Sequence, residues 1–247
     1  VLVADLRPRF RGPVAGQHLR WGDDLAVDRP LLSLDATLDP AFDGWRGEAP
    51  VRAARLAAGP QYLERLQGRL SFAGNADETR GRIDLASAAA AVDMFRAARS
   101  RFAGTYSLSP RHGDLLLNGN VRIEGLSLSD AGLAGFAAPL RSLGGTPLGP
   151  IGDALAAAFE RAAGGGGDAT AAVQLVNRRG DGAIRFERLR LAMRSGPELA
   201  GDSLTYRWPA GRMQLDGRFT LSRGGFPVAR FTLRQPMPGG PSQGVGR

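Results

Sequence analysis

Strict alternation of apolar and polar residues constrains this chain more than any other feature. A period of two places one side-chain set on each face of a β-strand. Leu66-Gln67-Gly68-Arg69-Leu70-Ser71-Phe72 alternates cleanly, and so does the run from Met213 to Leu221. The run from Leu115 to Ile123 follows the same rule apart from Leu116. Each such strand has one greasy and one wet side. Gly 35 and Pro 16 in 247 residues punctuate short segments throughout, which favours a mostly β chain over a helical one. At 43% hydrophobic content the chain can bury enough surface to order itself. No run approaches the roughly 18 apolar residues that a membrane-spanning helix needs.

Three of these strands share one template, Leu-x-Gly-x-Φ-x-Φ with Φ apolar, starting at Leu66, Leu117 and Leu215. Their spacings of 51 and 98 residues suggest a unit of about fifty residues, repeated as a stacked array. The glycine falls on the apolar side each time, where it marks a bend or a close backbone approach.

Further strands are expected at 31–38, 51–57, 80–85, 102–108, 171–176, 183–193, 204–208 and 228–233. Their separators carry turn chemistry, as in Gly74-Asn75, His112-Gly113-Asp114 and Arg179-Gly180-Asp181-Gly182. Within 183–193 the apolar parity slips, from Ile184 and Phe186 to Leu189, Leu191 and Met193. A one-residue slip is the mark of a β-bulge, and bulges bend sheets. The expected fold is mainly β: a long, curved, largely antiparallel sheet over residues 1–247. One region departs from it. Around 130–163 two apolar helices are expected as an insertion, the first capped by Ser129 or Asp130 and the second stopped by Gly164 to Gly167. Residues 236–247 read as a turn-rich linker. The apolar start at Val1 and this linker make the chain read as an internal piece of a longer protein.

The chemistry on offer is sparse. Cys 0 removes disulfides, thiolate metal sites and cysteine nucleophiles together. His18 and His112 have no partner histidine at helical or strand spacing, so they read as surface residues and no metal site is expected. Asp23-Asp24 is not followed by an acidic ladder. Gly164 to Gly167 follows a helix, whereas a phosphate loop precedes one. Arg179-Gly180-Asp181 reads as a hairpin turn despite its likeness to an adhesion tripeptide. No serine sits in a nucleophile elbow. The reading is a protein that is not an enzyme and has no cofactor.

The formal charge is +8, and every basic residue is arginine. The arginines are scattered singly or in pairs, which reads mainly as a coding bias toward GC-rich codons. An excess of positive charge also suits a surface near anionic lipid headgroups. The aromatic residues are not interleaved with arginine in a stacking series, so no nucleic-acid partner is expected.

A long sheet with one apolar face must cover that face or use it. If part stays open as a groove, an acyl chain is its natural ligand; a closed sandwich or solenoid core is the other solution from pattern alone. The order of features resembles the YdbH family of AsmA-like and TamB-like envelope proteins. That order runs from Leu117-Asn118-Gly119 through the Ser129-Asp130-Ala131-Gly132-Leu133 helix start and Arg185-Phe186-Glu187-Arg188 to Leu215-Asp216-Gly217 and Gly224-Gly225-Phe226-Pro227. The resemblance implies a taco-shaped β-groove, anchored in the inner membrane through a part outside this chain. Such a groove spans the periplasm of a Gram-negative envelope and carries phospholipid between the membranes. It also implies a small outer-membrane lipoprotein as partner. Strand parity names Leu66, Leu70, Phe72, Leu117, Val121, Ile123, Leu215, Phe219 and Leu221 as lipid-facing. An outer-membrane assembly scaffold and a closed adhesin-like solenoid are the alternatives.

Overall fold

The computed structural model describes residues 7–21, 25–59, 61–92, 95–109, 111–128, 166–178, 181–194, 198–208, 212–214, 217–234 and 243–246. Arg141, Gly145, Gly149, Asp153 and Ala157 are described as isolated positions. The protein is mainly β. Its first strands are β1 (Arg9–Ala15), β2 (His18–Trp21), β3 (Leu25–Asp28), β4 (Leu31–Leu38), β5 (Gly44–Ala58) and β6 (Gln61–Asn75). Next come β7 (Thr79–Ser87), β8 (Ala89–Val92), β9 (Phe95–Ala97), β10 (Arg99–Ser109) and β11 (Asp114–Leu128). The chain continues through β12 (Gly167–Arg178), β13 (Asp181–Met193), β14 (Glu198–Trp208) and β15 (Arg212–Gln214). It closes with β16 (Gly217–Arg223), β17 (Phe226–Arg234) and β18 (Gln243–Gly246), all in a single sheet of 18 strands.

The sheet is an antiparallel meander. The long strands pair mostly with their neighbours in the chain, as in β4–β5, β5–β6, β6–β7, β10–β11, β11–β12, β12–β13, β13–β14 and β16–β17. The pairings β1–β4, β3–β5, β7–β10 and β14–β16 skip over short or broken elements. Tight turns make this possible, and two of the expected ones carry the features that a turn requires. Gly113 has φ 70 between β10 and β11. The Asn75 carboxamide accepts from the Asp77 and Glu78 amides between β6 and β7, at 2.9 and 3.0 Å.

All the strands expected from alternation lie inside observed strands except the run from Met213 to Leu221, which is divided between β15 and β16. Those missed are β1, β2, β3, β8, β9 and β18. They are short, or interrupted by Gly12 and Pro13, or alanine-rich like β8, so period two cannot show. The fifty-residue unit is not a structural repeat. The template strands β6 and β11 are separated by one bent hairpin, whereas β11 and β16 are separated by three long strands and the short β15. No helix is among the described elements, and the helix pair expected at 130–163 falls outside the described residues apart from the five isolated positions. Within the expected linker, Gln243–Gly246 pairs with β17 as β18.

A line of breaks crosses the sheet from strand to strand. The first long strand is parted into β1 and β2 at Gly16-Gln17, and the next into β3 and β4 at Arg29-Pro30. The Gly16 amide donates to the Pro30 carbonyl at 3.0 Å and the Arg29 amide to the Gln17 carbonyl at 2.9 Å, so the two breaks meet. Arg29 has φ 49 and Arg65 in β6 has φ 50, both in the left-handed region. Ala88, between β7 and β8, donates its amide to the Glu64 carbonyl at 3.0 Å. Ala98, between β9 and β10, donates to the Glu124 carbonyl at 3.0 Å, next to Gly125 with φ 64.

Six elements, β6, β7, β10, β11, β9 and β8, close a ring of pairings around this line. In it β7 and β8 lie end to end along β6, and β9 and β10 lie end to end along β11. A second irregularity lies between β12 and β13, where the register shifts at Thr170/Ala172 and Arg188 has φ 52. It is the bulge that the parity slip within 183–193 predicts.

Candidate functional site

Register decides what shares a face. Phe72 stands opposite Gly47 and Gly81, Gly81 opposite Tyr106, Tyr106 opposite Leu117, and Leu117 opposite Leu175. In the next row Leu70 aligns with Ala49 and Ile83, followed by Gly104, Gly119 and Val173. The row after that runs Val51, Gly68, Leu85, Phe102, Val121 and Ala171. Leu66, Leu70, Phe72, Leu117, Val121 and Ile123 therefore share one apolar face. Leu66 is buried at 7% exposure and the other five are half-buried. By backbone register Phe219 pairs with Gly201 and Leu221 with Leu199, and Leu199 pairs with Leu191, which pairs with Ala169 beside Ile123. Leu215 lies outside the described residues.

The template glycine makes room for the neighbouring strand. At Gly68 a Cβ would stand 2.8 Å from Leu85 Cδ2, and at Gly119 it would stand 2.7 Å from Phe102 Cζ. Neighbouring side chains thus lie across the glycines and cover bare backbone, which stabilises strands that glycine alone weakens.

Burial falls on this face. Ala49 at 1%, Val173 at 4%, Ala171 at 5% and Ala53 at 6% exposure all belong to its rows. Most of its polar groups are satisfied within the protein, the exception among the described residues being Asn177 opposite Leu115, whose Oδ1 is buried without a hydrogen-bond partner. Trp45 Nε1 donates to Thr79 Oγ1 at 3.1 Å, and Thr79 donates to the Asn75 carbonyl at 3.0 Å. Tyr106 Oη donates to the Ser71 carbonyl at 3.2 Å, and burial raises its phenol above the ordinary value. The Ser87 and Ser100 hydroxyls bond each other at 2.7 Å.

The face is nevertheless not buried throughout. No large side chain among the described residues is fully buried, and Phe10 and Val14 of edge strand β1 are 54% and 55% exposed.

The reverse face is arginine-rich. Arg9 aligns with Thr37, Thr37 with Arg46, Arg46 with Ala73, and Ala73 with Arg80. Arg11 aligns with Asp35, Asp35 with Glu48, Glu48 with Ser71, and Ser71 with Arg82. Arg69 stands opposite Asp84, and Arg101 opposite Arg122. The carboxylates are shared out unevenly. Asp35 accepts from Arg9 Nη2 at 2.7 Å and from Arg11 Nη2 at 2.9 Å, and chiefly the Arg9 hydrogen bond lowers its pKa to about 2. Asp84 takes a two-pronged bond from Arg101, at 2.9 and 2.6 Å, which holds its pKa below the ordinary value.

Three open depressions, of about 780, 450 and 440 Å³, lie between the side chains of this face. Arg69 lines the first two. Alternation read strand by strand did not reveal this gathering. The usable signal was that the arginines of 66–72, 80–85 and 99–101 share the parity opposite to the apolar set.

The two histidines are engaged locally: His18 Nδ1 lies 2.6 Å from Asp28 Oδ1, and His112 Nδ1 lies 3.0 Å from Ser109 Oγ. Among the described residues no group of three or more His, Cys, Asp or Glu side chains could hold a metal ion, and no helix is long and apolar enough to cross a membrane. No family model, curated protein or solved structure matches the chain.

Proposed function

We propose that this chain is a segment of an envelope-spanning lipid-transfer protein of the YdbH and AsmA-like kind. In this reading phospholipid moves between inner and outer membrane of a Gram-negative cell with its acyl chains on the apolar sheet face. The carrying observation is the set of apolar rows from β1 to β14, whose indole, phenol and serine hydroxyl groups are bonded internally and which hold no fully buried large side chain among the described residues. An acyl chain gains about 0.8 kcal/mol for each methylene that leaves water. A face whose hydroxyl and indole groups are already bonded offers no polar anchor to hold the lipid at one position, so translation along it needs no hydrogen bond to break. The taco-shaped curvature of the sheet, the periplasmic location and the lipoprotein partner belong to this reading as well.

Native mass spectrometry of the chain purified from bacterial cells tests it. Bound phospholipid is expected on the wild-type chain. It is expected to be lost in Val121→Glu, with the far-ultraviolet circular dichroism unchanged. A lipid-free wild-type protein, or equal lipid content in the folded variant, overturns the proposal.

A further inference from the structure

The charged face carries a feature that acyl-chain transport does not use. Arg46, Arg52, Arg69 and Arg82 project from adjacent positions on β5, β6 and β7, and all four are exposed. None has a side-chain hydrogen bond or ion pair among the described residues. Four guanidinium groups face one carboxylate without an ion pair among the described residues, Glu48, which lines the same depression as Arg46 and Arg69, and the other carboxylates nearby are engaged elsewhere. Arg69 stands directly opposite Asp84, but Asp84 is occupied by the Arg101 fork. Asp35, two strands from Arg69, is occupied by Arg9 and Arg11. Farther along the sheet the balance differs: Arg185 is paired with Glu187 at 3.1 Å, Arg218 with Asp202 at 2.9 Å, and Arg190 with Glu198. The unpaired guanidinium groups thus form a local patch beside the depressions of about 780 and 450 Å³.

We infer that this patch on β5, β6 and β7 is a docking surface for the phosphate groups of an anionic bilayer. Guanidinium groups present forked donors that match phosphate oxygens, and unpaired ones need break no ion pair to do so. The patch lies on a broad sheet face. No aromatic side chain alternates with its arginines, since Trp45, Phe72, Phe102 and Tyr106 all belong to the opposite face. Phosphates spread over a surface therefore fit better than a single-stranded nucleic acid, which would require stacking partners.

Vesicle sedimentation of the full chain tests this. Vesicles of phosphatidylcholine containing phosphatidylglycerol are compared with phosphatidylcholine alone, at low and high salt. Binding is expected only to the anionic vesicles and is expected to weaken with salt. The triple variant Arg52→Gln, Arg69→Gln, Arg82→Gln should lose binding by roughly fivefold per arginine removed. The variant Arg185→Gln, Arg190→Gln, Arg218→Gln removes equal charge from paired positions and should retain most of it. Circular dichroism and melting curves of both variants establish that they fold. Equal loss in the two triple variants, or no preference for anionic vesicles, overturns the inference. So does tighter binding to a single-stranded oligonucleotide than to the vesicles. Val121→Glu should leave vesicle binding intact, so this test and the acyl-chain test fail independently.

Discussion

The two faces of the one sheet are built from the same strands and obey opposite rules. On the apolar face, glycine and alanine lie under leucine and aromatic side chains, and Ala49 at 1% and Val173 at 4% exposure lose nearly all contact with water. Each residue there is tied to neighbours on both flanking strands. On the charged face, side chains are exposed and their ion pairs are local, so a single loss is absorbed by solvent. Stability therefore resides on one face, while the other is free to vary or to bind. In α/β folds helices cover both faces, whereas an antiparallel sheet can leave one face wet. Here even the apolar face keeps Phe10 and Val14 exposed at its β1 edge.

The contrast can be broken most forcefully from the buried side. Val173→Glu places an unpaired carboxylate among apolar rows and is expected to cost about 3–5 kcal/mol in urea unfolding. Arg69→Glu on the reverse should leave the midpoint nearly unchanged. Comparable effects of the two would dissolve the distinction. A smaller change, Gly119→Ala, forces a methyl against the Phe102 ring and the strand beside it, for an expected loss of about 1–3 kcal/mol. The same substitution at Gly113, which has φ 70 and open space around it, strains only the turn and should cost less.

The smallest effect is electrostatic and belongs to the charged face alone. The pKa of Asp35 falls from 3.8 to about 2 in the folded protein. A carboxylate with a lowered folded pKa contributes stability above its unfolded value, and that contribution is lost as pH falls through the folded one. Asp35→Asn should therefore flatten the stability profile between pH 3.8 and about 2, measured by acid titration of the unfolding midpoint. An unchanged slope in that window would show that the Arg9 and Arg11 bonds contribute nothing there.

Much of the fold was legible in sequence because half-buried strands write their environment at period two. The segments around Leu66, Leu117 and Ile184 were readable for that reason, and the parity slip located the bulge at Arg188 before any coordinates were needed. The strand β8 was silent because alanine is tolerated on either face, and β9 because three residues are too few for a period of two to show. The template misled in one respect. Its fifty-residue spacing suggested repeating units, but glycine-under-ring packing can recur wherever two strands need it, with no repeat behind it.

The sequence by itself determined that this chain forms antiparallel strands, and which side chains of each strand stand together, because alternation is a local consequence of pleat geometry. Only the tertiary structure decided how those sets align between strands. Register is fixed by turns and by the line of breaks from Gly16 to Gly125, and no single strand contains that information. Pairing brought Leu66, Leu70 and Phe72 into rows with Val121 and Ile123. The same register gathered arginines that are scattered along the chain onto one face, and there two of the nearby carboxylates, Asp35 and Asp84, were already taken.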